Sequence, residues 1–115
     1  MFINKPIQRL KFKEVNMNVK INSLHFKTDQ KLDDFITNKV GKLYQLFDNI
    51  NAAEVTLKID KDESRENKIA EIQLGVPGNG LYAKKQCKSF EEATDSAVDA
   101  LKKQLIRHKE KLRTK

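Results

Sequence analysis

The chain predicts an α+β fold, a two-layer sandwich in which one four-stranded sheet carries two helices on one face. Three observations lead there. Four stretches alternate apolar and polar residues, the period of a half-buried strand. Two longer stretches repeat apolar residues every three or four positions, the period of an amphipathic helix. Their order along the chain is β-α-β-β-β-α, and strands two to four are joined by connections short enough for an antiparallel meander.

The first strand falls between Met17 and Leu24, where Val19 and Ile21 alternate with Asn18, Lys20 and Asn22. Thr28 or Asp29 caps the helix that follows. Leu32, Phe35, Ile36, Val40, Leu43, Leu46 and Phe47 form its stripe, and Asp48-Asn49 ends it. Val55, Leu57 and Ile59 mark the second strand, and residues 61–67 form a charged, solvated loop. Ala70, Ile72, Leu74 and Val76 mark the third. Pro77-Gly78-Asn79-Gly80 is a hairpin turn rather than a phosphate loop, because no helix and no Lys-Ser/Thr follow it. The fourth strand runs from about Leu81 to Cys87. The open sheet face would then carry Lys20, Thr56, Lys58, Glu71 and Gln73, with Tyr82, Lys84 and Gln86. Being mixed in charge, it is not the first place to put a polyanion.

Ser89-Phe90-Glu91-Glu92 fits the capping box and opens the last helix. Phe90, Ala93, Ala97, Leu101, Leu105 and Leu112 lie along its core-facing stripe, with Thr94 and Val98 beside them. Acids crowd its start and bases its end. The helix dipole favours that polarity, yet it acts mainly within the terminal turns and does not require so many cations. Lys102, Lys109 and Arg113 share one flank of the stripe, where a row of bases can follow a phosphate backbone. On the first helix Lys31 and Lys42 lie beside the stripe and Lys39 within its margin. Taken alone these are ordinary lysines with stems on apolar surface.

The 115 residues suffice for one domain with a modest core. Residues 17–115 are read as that domain, and residues 1–16 as a basic N-terminal extension. That extension reads as disordered or loosely held; the alternative is an arm that touches the same anion as the last helix. The formal charge is +7. Residues 1–16 carry four bases against one acid, residues 17–80 nine against ten, and residues 81–115 ten against five. The excess at the two ends favours a polyanionic partner. The single Cys87 excludes an internal disulfide framework and fits a reducing, cytoplasmic compartment. No apolar run is long enough to span a bilayer. No metal cluster, nucleophile triad or paired acid and base stands out, so no cofactor, small-molecule substrate or enzymatic activity is expected.

Three stretches carry a resemblance to a known family. One is the first strand leading into Thr28-Asp29-Gln30-Lys31-Leu32. Another is Asn38-Lys39-Val40-Gly41-Lys42-Leu43, similar to a basic-x-x-Lys-Leu pattern at the end of helix one. The third is Ala83 through Phe90, running into Ala93 and Leu101-Lys102-Lys103-Gln104-Leu105. From about Met17 to Lys111 the chain resembles the ribosome hibernation promoting factor family, also called the ribosome-associated inhibitor or sigma-54 modulation family.

The resemblance implies a β-α-β-β-β-α fold, similar in arrangement to a double-stranded RNA-binding domain. It implies binding to the 30S subunit and the 70S ribosome through 16S rRNA, in the channel that messenger and transfer RNA would occupy. Translation would be blocked under stress and in stationary phase. Matching basic positions are Lys39 and Lys42, then Lys84, Lys85 and Lys88 around the fourth strand, then Lys103 and Arg107. Gln86 stands where some relatives carry a lysine. Because the chain ends soon after helix two, it resembles the short kind, which leans toward tolerating or promoting paired ribosomes with a separate dimerising factor. The other readings are a structured-RNA-binding module outside the ribosome, disfavoured by the acidic first turn of the last helix, and a protein-interaction domain whose charge only confers solubility.

Overall fold

A computed structural model of the chain describes residues 18–47, 49–61 and 65–113, with only the backbone at residues 79 and 111–113. The readings of residues 1–16, of Asp48 and of the Leu112 and Arg113 side chains lie outside this set. The element order is β1 (Val19–Ser23), α1 (Gln30–Leu46), β2 (Ala52–Ile59), β3 (Lys68–Val76), β4 (Asn79–Cys87) and α2 (Phe90–Arg113). The strands form one sheet in the order β1-β2-β3-β4. β1 runs parallel to β2, and the other two pairings are antiparallel. This is the α+β sandwich the alternation predicts.

Period two sets which residues meet the helices. Ala53, Val55 and Leu57 of β2 and Ala70, Ile72, Leu74 and Val76 of β3 are buried, as is Ala83 of β4. Above them α1 contributes Leu32, Ile36, Val40, Leu43 and Tyr44, and α2 contributes Phe90, Ala93, Ala97, Leu101 and Leu105. Ile59 breaks the expected pattern and is 47% exposed. It is the last residue of β2, paired with Lys68 at the end of the sheet.

Local signals place the ends. The Leu32 N–H donates to Asp29 Oδ1 at 2.8 Å, while the Thr28 hydroxyl donates to Asp33 Oδ1. Asp29 is therefore the cap of α1. The helix stops at Leu46, earlier than Asp48-Asn49, because Phe47 turns extended and buries its ring. Ser89 Oγ accepts from the Glu92 N–H at 3.1 Å, the first half of the expected capping box. β4 begins at Asn79, two residues early, since Val76 pairs with Asn79 across a turn of Pro77 and Gly78 alone. Gly78 has φ +81°, where a side chain would be strained.

α1 lies against β1, and α2 lies against β3, β4 and α1. Three contacts, in matching chain order, show the two helices running in the same direction. Phe26 and Phe90 stack with centroids 5.0 Å apart just before each helix or at its start. Lys39 meets Asp95 at 2.9 Å midway. Lys109 Nζ donates to the Leu46 carbonyl at 3.1 Å near the far end.

β1 is tied to α1 by the Tyr44 hydroxyl, which donates to the Asn18 carbonyl at 2.8 Å. Burial pushes the Tyr44 phenol above its usual value, and the hydrogen bond to Asn18 only partly offsets this. A phenol harder to ionise when folded supports stability fully below the unfolded value of about 10. That support is lost as pH rises toward the folded value. Tyr44→Phe is therefore expected to cost about 1 kcal/mol at neutral pH and to flatten the alkaline decline in stability above about pH 10. Urea unfolding of both proteins across that range checks it; parallel curves would refute it.

Candidate RNA-binding face

Helical geometry splits the candidate cations into groups. At about 100° per residue, Lys39, Lys42 and Leu46 share the flank of α1 that faces α2. Asp95, Val98 and Lys102 share the facing flank of α2. Together with Leu43, Gln45 and Asp99 they line a groove of about 530 Å³ between the helices. Lys42 and Lys102 are exposed; Lys39 is half-buried, with its ammonium on Asp95 and 5.5 Å from the Phe35 ring centroid.

Lys103 and Arg107 turn to the outer, solvent-facing side of α2, while Gln104 beside them donates to the Tyr82 carbonyl of β4 at 3.0 Å. Both are exposed. Lys103 lies 3.8 Å from Asp99, one turn back. Lys85 has the inward parity of Ala83 yet is exposed, because β4 is an edge strand. It therefore belongs to the helix side of the sheet. Lys88 is exposed in the bend between β4 and α2, and Lys31 is exposed in the first turn of α1.

Lys84 does not join this set. Successive residues of a strand point to opposite faces, so Lys84 sits on the open sheet face, 3.8 Å from the Glu71 carboxylate. Glu71 also binds Lys58 at 2.8 Å, and this hydrogen bond holds the Lys58 ammonium above its usual value. Asn22 donates to Glu54 nearby. The open face is thus mixed in charge and partly self-paired, as its composition predicts.

Two further residues have internal partners. Lys109, half-buried, donates to the last carbonyl of α1, a favoured position for a cation. Gln86 donates to Asp60 Oδ2 and to the Glu66 carbonyl. It holds the base of the charged loop, whose ends also meet through the Asp60 N–H and the Asn67 carbonyl. Neither role is visible in the sequence, because each partner is distant along the chain.

Asp95 and Asp99 are the groove residues that the sequence does not flag. They read as ordinary acids in the first half of a helix, and only the packing of α1 against α2 places them in one groove with Lys39 and Lys42. Cys87 is half-buried with its sulfur 4.0 Å from Ser96 Oγ. Among the described residues, no group of three or more His, Cys, Asp or Glu is placed to hold a metal ion, and no helix is long and apolar enough to cross a membrane.

Comparison with known proteins gives the same fold. The Thermus thermophilus Protein Y N-terminal domain superposes with a TM-score of 0.69 at 26% identity, over 80% of this chain and 99% of that one. A ribosomal subunit interface protein from Coxiella burnetii superposes with a TM-score of 0.72 at 18% identity, over 81% and 98%. In sequence, the chain is 33% identical over 97 residues to a ribosome hibernation promoting factor of Klebsiella oxytoca, covering 84% of this chain and 98% of the relative. A Pseudomonas putida protein of the same name is 30% identical over 95 residues, covering 83% and 89%. The profile described as sigma 54 modulation protein / S30EA ribosomal protein matches residues 19–113. With the match spanning every strand and both helices, the chain belongs to the sigma 54 modulation protein / S30EA ribosomal protein family.

Proposed function

We propose that this protein is a ribosome hibernation factor of the cytoplasm. It binds the small subunit in the decoding channel through 16S rRNA and keeps messenger and transfer RNA out under stress. Residues 17–115 act as the ribosome-binding domain. The observation that carries this reading is the cation-rich outer surface of the two helices, with Lys42, Lys102, Lys103 and Arg107 all exposed. The relatives' names point the same way.

The physical action is occupation rather than catalysis. Cations along the helices release counterions from the RNA backbone, and the shape of the sandwich selects a folded RNA surface. Lys42, Lys102, Lys103, Arg107, Lys85 and Lys88 are the contacts favoured by exposure. Lys31 stands at the near end of the same side. Lys39 and Lys109 contribute charge from positions that also hold the helices together.

Co-sedimentation with 30S, 50S and 70S particles at moderate and high salt tests this. Salt-sensitive association with 30S and 70S, absent from 50S, is the expected result. Association with free structured RNA but with no particle would instead favour an RNA-binding module outside the ribosome. Binding to neither would leave a protein-interaction domain.

A further inference from the structure

The groove between α1 and α2 is not uniformly basic. The exposed Lys42 and Lys102, the apolar Leu46 and Val98, and two carboxylates, Asp95 and Asp99, all line it. Those carboxylates are well exposed, at 62% and 66%. Asp95 meets Lys39 through Oδ1, and Lys103 stands 3.8 Å from Asp99 Oδ2.

On a surface that meets only phosphates, two exposed carboxylates are a liability, since each repels the backbone. Toward a base edge their sign is right. A carboxylate accepts from the exocyclic amino group of cytosine or adenine, and from adjacent N–H groups of guanine. Uracil offers one N–H flanked by two carbonyl oxygens, which a carboxylate repels. The groove's size falls in the range of ligand pockets, and its apolar lining suits the face of a ring. Bases splayed from loops and bulges are the usual targets of sequence-specific RNA recognition.

We propose that the groove between α1 and α2 takes one unstacked, amino-bearing RNA base, read by Asp95 and Asp99 beside Leu46 and Val98, with the flanking phosphates on Lys42 and Lys102. This rests on the RNA-binding reading above and adds a nucleotide class to it.

The test uses the full chain and its Asp95→Asn/Asp99→Asn variant. Each is titrated with short single-stranded oligocytidylate and oligouridylate at equal salt, and each is sedimented with small subunits. The parent is expected to bind oligocytidylate at least about fivefold more tightly than oligouridylate, the lower end of what one base pairing discriminates. The variant should lose that gap. It should also bind small subunits more weakly, although two negative charges have been removed. Simple charge removal gives the opposite sign, tighter binding to every RNA. Tighter variant binding, a parent without preference, or a preference that survives in the variant would each overturn the proposal. Should the parent ignore small subunits yet keep a preference that the variant loses, the ribosome reading fails and the groove assignment stands.

Discussion

Replacing Lys42 and Lys102 together with glutamate is expected to lower affinity for the small subunit by about a hundredfold or more. Each lysine lines the inter-helix groove and is exposed. Loss of a phosphate contact worth about 1.4 kcal/mol is tenfold in affinity, and reversal adds repulsion. The log–log salt slope should also fall by about two units or somewhat less. The melting temperature should change little, because exposed charges contribute little to stability. The matched control is Lys20→Glu on the open face of β1, where Lys20 is exposed beside Glu54. It is a single reversal, so the comparison is also made with Lys42→Glu and Lys102→Glu singly. If Lys20→Glu weakens binding as much as either of these, binding follows net charge and the helix face has no special role.

Leu101→Ala is expected to destabilise the fold by about 2–5 kcal/mol. Leu101 is wholly buried in α2, in a core cluster that joins both helices to β2, β3 and β4. Truncation removes transfer energy and leaves a cavity that the sheet beneath is too regular to fill. For a domain of this size each kcal/mol shifts the melting temperature by about 4–8 °C, so the drop should exceed about 8 °C. Urea unfolding with an unchanged slope would give the value directly. A loss under about 1 kcal/mol would mean that α2 can sink onto the sheet, contrary to close packing.

Much of this architecture is legible in the sequence because burial leaves periodic marks. Ala70, Ile72, Leu74 and Val76 alternate and are all buried, and Phe90, Ala93, Ala97, Leu101 and Leu105 follow the helical period and are all buried. Ile59 and the end of α1 depart from the periodic pattern, and both lie at element ends, where neighbours rather than period decide. The candidate face was legible as a list of cations but not as a surface. Lys84 and Lys85 are adjacent in the chain and on opposite faces of the sheet, while Lys42 and Lys102 are distant in the chain and line one groove. Alternation alone already put Lys84 on the open face, at odds with its grouping beside Lys85. The acids of the groove and the bond from Lys109 to Leu46 depend on how α1 and α2 sit together, which no local pattern records.

The parallel pairing of β1 with β2 bears on the order of assembly. β2, β3 and β4 are successive neighbours and can close by short loops, whereas β1 must wait for all of α1 to cross back before it meets β2. Contacts of greater sequence separation are entropically harder to close, which makes β1 a late arrival. Like β4 it is held along one edge only, but with 5 residues against 9 it has fewer backbone bonds to lose on local opening. Its departure would bare the β2 edge, a template for a strand from another chain. The Tyr44 hydroxyl bond to Asn18 fastens that vulnerable edge from above, on the side of the sandwich remote from β4.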